Sequence, residues 1–227
     1  MHRVYIVRHG ERIDHVDRSW KTGSDLPDDP FLTVRGLKQA NDLAVRLKDA
    51  NITQIFCSPF YRCVQTANET AKLINVPIKL EHGAGEFLSS RWFKENPRLR
   101  STNDLANEFR MIDTSYESFW KRQYPESLEQ LGARTGSVIK HLVGNFLDTG
   151  SILIVSHGHV IEKLANSLVP TVRINWVTYC ALVELCPDSE GSYRVEANGD
   201  TSYLSEPENS GFRPKHSCLA NGVTTKT

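Results

Sequence analysis

Two histidines and several arginines stand at three separated turns of this 227-residue chain. Arg8-His9-Gly10-Glu11-Arg12 follows the apolar run Val4-Tyr5-Ile6-Val7, Ser58-Pro59 with Arg62 follows Ile55-Phe56-Cys57, and Ser156-His157-Gly158 follows Ile152-Leu153-Ile154-Val155. These residue types suit phosphoryl transfer through a covalent phosphohistidine. A neutral imidazole nitrogen attacks phosphorus, and the covalent step splits one difficult displacement into two. Arginines lay forked donors on the equatorial oxygens, which lysine does not offer. A carboxylic acid then protonates the leaving oxygen and later activates water. Taken singly, a strand-end histidine reads as a group bonded to backbone, and most arginines as surface charges. Three such turns together carry the chemical reading.

The elements that must position them follow from the hydrophobic pattern. The runs at Val4–Val7, Ile55–Cys57, Val76–Leu80, Ile152–Val155 and Val177–Leu185 read as short buried strands, with an edge strand over Tyr193–Glu196. Between them lie helical stripes. Thr33 precedes Leu37, Ala40, Ala44 and Leu47; Ser58-Pro59 reads as an N-cap with proline at the first helical position, ahead of Phe60, Val64, Ala67, Ala71 and Ile74. Ser127 and Gln130 have capping-box spacing before Leu128, Leu131, Val138 and Leu142, and Val160, Ile161, Leu164 and Leu168 follow the last histidine turn. Alternating strands and helices predict a three-layer α/β/α fold around a mostly parallel sheet. Ligands of such sheets bind beyond the carboxyl ends of the strands, where all three polar turns would fall. Residues 83–125 are irregular, aromatic and charged, and read as a cap insertion in a single domain over 1–204. From Ser205 to Thr227 the composition predicts a disordered tail.

Bulk properties exclude several classes. Lys plus Arg equals Asp plus Glu, 27 against 27, so no global basic surface for nucleic acid or a membrane is expected. The five cysteines (57, 63, 180, 186 and 218) are odd in number and irregularly spaced, so they predict reduced thiols, not a disulfide frame or zinc site. Cys57 and Arg62 lie one residue too close for a C-x5-R phosphate loop, so Cys57 reads as a strand residue. His157 and His159 lack partners at ligand spacing, so no metal or other cofactor is expected, and His159 reads as a supporting or helix-start residue. No apolar run spans a bilayer and no signal peptide precedes the first strand, so the expected location is cytoplasmic.

Val7-Arg8-His9-Gly10-Glu11, Leu32-Thr33 with Gly36 and Gln39-Ala40, Ser58-Pro59 with Arg62 and Gln65-Thr66-Ala67, and Val155-Ser156-His157-Gly158 together resemble the histidine phosphatase superfamily. The resemblance spans roughly residues 3 to 185 in the expected order. It implies a phosphoglycerate mutase-like fold with His9 as the phosphorylated nucleophile and Arg8, Arg62 and His157 as phosphate-pocket partners. Arg12 joins them because R-H-G-E-R is the form of the suppressor-of-T-cell-receptor-signalling and ecdysteroid-phosphate phosphatases. Glu81-His82-Gly83-Ala84-Gly85-Glu86-Phe87 resembles an E-P-G…E-W segment whose second glutamate matches Glu86, the implied acid, with Glu81 as its competitor.

Mutases of this family continue R-H-G-E with serine and a nearby asparagine; here Arg12-Ile13-Asp14 follows. That favours hydrolysis of phosphomonoesters. The substrate is then a phosphorylated small molecule or a phosphoprotein, with Trp20, Phe31, Trp92 and Phe93 available to line an aryl-accepting mouth. A mutase-like phosphotransferase and a non-catalytic module that binds a phosphorylated partner stay open as alternatives. Signalling relatives carry ubiquitin-binding and SH3 modules ahead of this domain, and none is expected where this chain opens on the first strand. Such relatives often dimerise through the domain, so a homodimer is an expectation carried by the resemblance.

Overall fold

A computed structural model describes residues 2–174 and 177–207. The strands β1 (Val4–Arg8), β2 (Ile52–Cys57), β3 (Ile78–Leu80), β4 (Ser151–Ser156), β5 (Leu182–Pro187) and β6 (Tyr193–Asp200) form one sheet in the order β3-β2-β4-β1-β5-β6. The first four in that order run parallel, and β5 and β6 add an antiparallel edge. The expected strand over Val177–Leu185 is shorter than its apolar pattern: it begins at Leu182, and the described residues before it form a turn in which Cys180 has a φ of 51°.

The period-two alternation of β1 sorts its side chains onto the two faces. Tyr5 and Val7 join α2 (Val34–Leu47), α3 (Tyr61–Ile74) and α4 (Thr102–Glu108) in one core layer. Val4 and Ile6 join α5 (Leu128–Phe146) and α6 (Gly158–Asn166) in the other. A single-turn helix, α1 (Trp20–Gly23), lies in the loop after β1. Each fully buried leucine or isoleucine in these layers stabilises the fold by about 1.5–3 kcal/mol. No helix among the described residues is long and apolar enough to cross a membrane.

Local capping follows the sequence in part. The Thr33 hydroxyl accepts from the Gly36 amide at 3.0 Å, and Ser127 with Gln130 closes a capping box on α5. Ser58 does not cap α3: that helix starts at Tyr61, whose amide donates to buried Asp29 at 2.7 Å. Nor does Leu37 sit on the buried stripe of α2. It is 42% exposed, and Gln39 is buried instead, accepting from the Glu11 amide at 2.9 Å. The 83–125 segment reaches into both layers, with Leu105, Phe109 and Ile112 in one and Ala84 and Phe87 in the other. Of the expected tail, the residues from 208 onward lie outside the described residues.

Candidate active site

Parallel register sets the site. Arg8 pairs with Ser156, and Cys57 with Val155, so β1, β2 and β4 end together and their next residues share one edge. His9 and His157 follow directly, with ring centroids 5.4 Å apart. His9 Nδ1 lies 2.8 Å from the Gly10 carbonyl oxygen, which only accepts, so Nδ1 carries the proton and Nε2 presents its lone pair. Burial, then Arg62, Arg8, His157 and Arg12, hold the ring well below the ordinary histidine pKa, hence neutral. The turn is held by a close backbone crossing. The Gly10 amide donates to Thr66 Oγ1 at 3.0 Å, and a Cβ on Gly36 would stand 2.1 Å from the Glu11 carbonyl oxygen, so only glycine fits.

Arg62 is 1% exposed in the first turn of α3. Its Nη2 donates to Glu86 Oε2 at 3.2 Å and lies 3.1 Å from His157 Nδ1. That nitrogen of His157 also lies 3.3 Å from Glu86 Oε2, between a donor and an acceptor, and Nε2 stands 2.7 Å from Ser58 Oγ. Burial lowers His157 to about 4, against the opposing pull of Glu86 3.3 Å away. Nε and Nη1 of Arg62 and Nε of Arg8 are buried donors without an acceptor among the described residues. A phosphate's oxygens supply what such orphaned donors lack.

Arg8 donates to the Val177 carbonyl at 2.6 Å and lies 4.3 Å above the Tyr179 ring, whose hydroxyl is bonded to His15. The Arg12 Nε stands 2.9 Å from Asp14. Its charge reaches both His9 and Glu86, acting to lower the pKa of each.

The two candidate acids separate by environment. Glu81 is fully buried and accepts from the Gly83, Phe119 and Trp120 amides and the Tyr116 and Ser118 hydroxyls, at 2.7 to 3.2 Å. It ties the irregular segment to β3 and does not face the histidines. Glu86 does. Burial pushes its carboxyl up, but His157, Arg62 and Arg12 outweigh that and hold it well below the carboxylate range. The acid role that the resemblance implies for Glu86 calls for a raised value, and the cationic surroundings reverse it. Arg134 fixes the loop by donating to the Gly83 and Gly85 carbonyls at 2.7 and 3.0 Å and by an ion pair to Glu126.

Sequence reasoning missed Arg134, Tyr179 and Asp29. Each acts from a distant segment, and none carries a local pattern that announces it. The aromatics form two groups. Trp20 packs edge-on against Phe31 at 4.9 Å, beside the strand-like bridge of Arg12 to Leu32, while Trp92 lies 4.7 Å from His159 and 5.3 Å from Phe87. Cys57 is a buried strand residue with its thiol pushed up by burial.

The profile of the histidine phosphatase superfamily (branch 1) matches residues 4–199, and the chain belongs to that superfamily. It is 27% identical to an ecdysteroid-phosphate phosphatase of Drosophila melanogaster over 79% of this chain and 30% of that protein. It is 29% identical to the human ubiquitin-associated and SH3 domain-containing protein A over 73% of this chain and 31% of that protein. The chain thus spans under a third of the length of these two relatives. A probable phosphoglycerate mutase, GpmB, of Escherichia fergusonii is 30% identical over 91% of this chain and 97% of its own. Among solved structures, the Bombix mori ecdysone phosphate phosphatase in complex with tungstate superposes with a TM-score of 0.75 at 19% identity, covering 94% of this chain and 97% of that one.

Proposed function

We propose that the protein is a phosphatase that hydrolyses phosphomonoesters through a phosphohistidine on His9. The observation that carries this reading is the neutral ring of His9, its Nδ1 held by the Gly10 carbonyl, amid buried arginine donors without acceptors among the described residues. His9 Nε2 attacks phosphorus, the P–O bond to the leaving group breaks, and Glu86 protonates the departing oxygen. Glu86 then takes a proton from water, which attacks the phosphohistidine and frees His9. The depressed pKa of Glu86 fits this cycle. An arriving phosphate adds negative charge beside it and draws Arg62 away, both of which raise its pKa. A substrate that enters as the monoanion brings the proton. His9 is 1% and His157 0% exposed, so the phosphoryl group enters as surrounding side chains give way.

Hydrolysis is preferred to intramolecular transfer because Arg12, 2.9 Å from Asp14, follows Arg8-His9-Gly10-Glu11 where the mutases of this family carry serine. The Trp20–Phe31 and Trp92–His159 groups support aryl phosphates, phosphotyrosine among them, as the substrate class. The names of the fly and silkworm relatives add steroid phosphates, which are alkyl esters, as a second class to test. The GpmB relative favours a second reading, a phosphoglycerate mutase. A panel of p-nitrophenyl phosphate, phosphotyrosine, a steroid phosphate and 3-phosphoglycerate separates the two. Preference for the aryl or steroid esters supports our reading, and preference for the phosphoglycerate overturns it.

A further inference from the structure

A groove of about 480 Å³ opens beside His82, and none of Arg8, His9, Arg62 and His157 lines it. Arg98, Arg100, Arg122 and His82 line it, and no carboxylate does. Arg100 is neutralised by Asp29 at 3.0 Å. Arg98 is exposed, and Arg122 donates to the oxygens of Asn96 and Pro97. Asp29, whose charge also reaches Arg122, is already paired with Arg100, so three arginines stand against this one carboxylate among the described residues. His82 adds Nδ1, a buried atom with no hydrogen-bond partner among the described residues. In a chain of zero net charge this is a local concentration of donors, of the forked kind that match tetrahedral oxyanions.

The geometry points to a second anion-binding site here, separate from the His9 pocket, for the phosphate group of a small organic phosphate. The groove's volume falls in the range of small-molecule sites, roughly 300–1,000 Å³. Its separateness follows from the partition. Pro59, His82 and Arg122 also wall the crevice beside Glu86, and that crevice is about 10 Å³, room for one water and no ligand chain. None of Arg8, His9, Arg62 and His157 lines the groove, so we take its occupant as a ligand distinct from the substrate at His9. Pro59, His82 and Arg122 wall both spaces, so that occupant shares these three residues with the crevice beside Glu86.

Calorimetric titration of the full chain with tungstate, a tetrahedral dianion that is not hydrolysed, tests the assignment. The number of bound tungstates should fall by one in the Arg98→Ala/Arg122→Gln double variant, whatever the His9 pocket binds. A number unchanged by the double substitution overturns the site. Arg122 also holds Asn96 and Pro97, so that variant is at risk of losing its fold. The single Arg98→Glu at the exposed position avoids this and should weaken the same site at least tenfold. Unaltered affinity there overturns the proposal equally.

Discussion

His9 Nδ1 and the carbonyl oxygen of Gly10, its own neighbour, stand 2.8 Å apart. This one contact sets the tautomer of the neutral ring and aims its free nitrogen away from the backbone. The arginines around it reinforce neutrality by making a second positive charge costly.

Stability should therefore depend on pH. His9, His15, His82 and His157 all have folded pKa values below 6.5, each lowered chiefly by burial, and His15 and His157 fall to about 4. The unfolded chain binds protons that the fold refuses, so this stability is present above about pH 6.5 and is lost as pH falls toward 4. Glu86, also depressed, acts in the same direction below its ordinary value of 4.5. Asp29, raised by burial, runs the other way within the carboxylate range. Melting temperatures from pH 8 to 5 should be flat above 7 and decline steadily below 6.5. A flat profile down to pH 5 contradicts the neutral histidine cluster.

Glu86→Gln removes the proton donor while keeping the shape. An alkyl phosphate needs its leaving oxygen protonated, whereas p-nitrophenolate leaves readily without help. The loss in kcat should be about 10²–10⁴-fold for the alkyl ester and much smaller for p-nitrophenyl phosphate. Equal losses on both would remove Glu86 from the acid role.

Glu81→Gln gives the contrasting outcome. Glu81 accepts from five donors, and the amide replaces one acceptor oxygen with a donor group. Urea denaturation should report a loss of about 1–3 kcal/mol. The dependence of kcat on the leaving group should match that of the wild type, because Glu81 does not touch the histidines.

Tyr179→Leu tests how Arg8 is held. The guanidinium lies 4.3 Å from the ring centroid, and such a contact is worth about 0.5–2 kcal/mol, so KM for p-nitrophenyl phosphate should rise roughly two- to thirtyfold. An unchanged KM means that the Val177 carbonyl alone positions Arg8.

Much of this arrangement was legible in the sequence because it is local. Val4–Val7 and Ile152–Val155 are short continuous apolar runs, and in each the histidine is the second residue after the run, so parallel pairing brings the two turns together. What escaped was non-local. Ser58 has the form of a helix cap but bonds His157, and Asp29, more than thirty positions earlier in the chain, caps α3 in its place. The apolar content of Val177–Leu185 predicts strand throughout, yet Val177 and Tyr179 are drawn off to hold Arg8. The pKa of Glu86 depends on three cationic or ionisable neighbours from three different segments, which spacing does not reveal.

The central claim rests on a covalent bond to one atom. Rapid acid-free quenching during turnover of ³²P-labelled aryl phosphate, followed by peptide mapping, reads it directly. Our account predicts acid-labile, base-stable phosphate on His9, and neither label nor turnover in His9→Ala. Label on another residue, or wild-type turnover by His9→Ala, would contradict it.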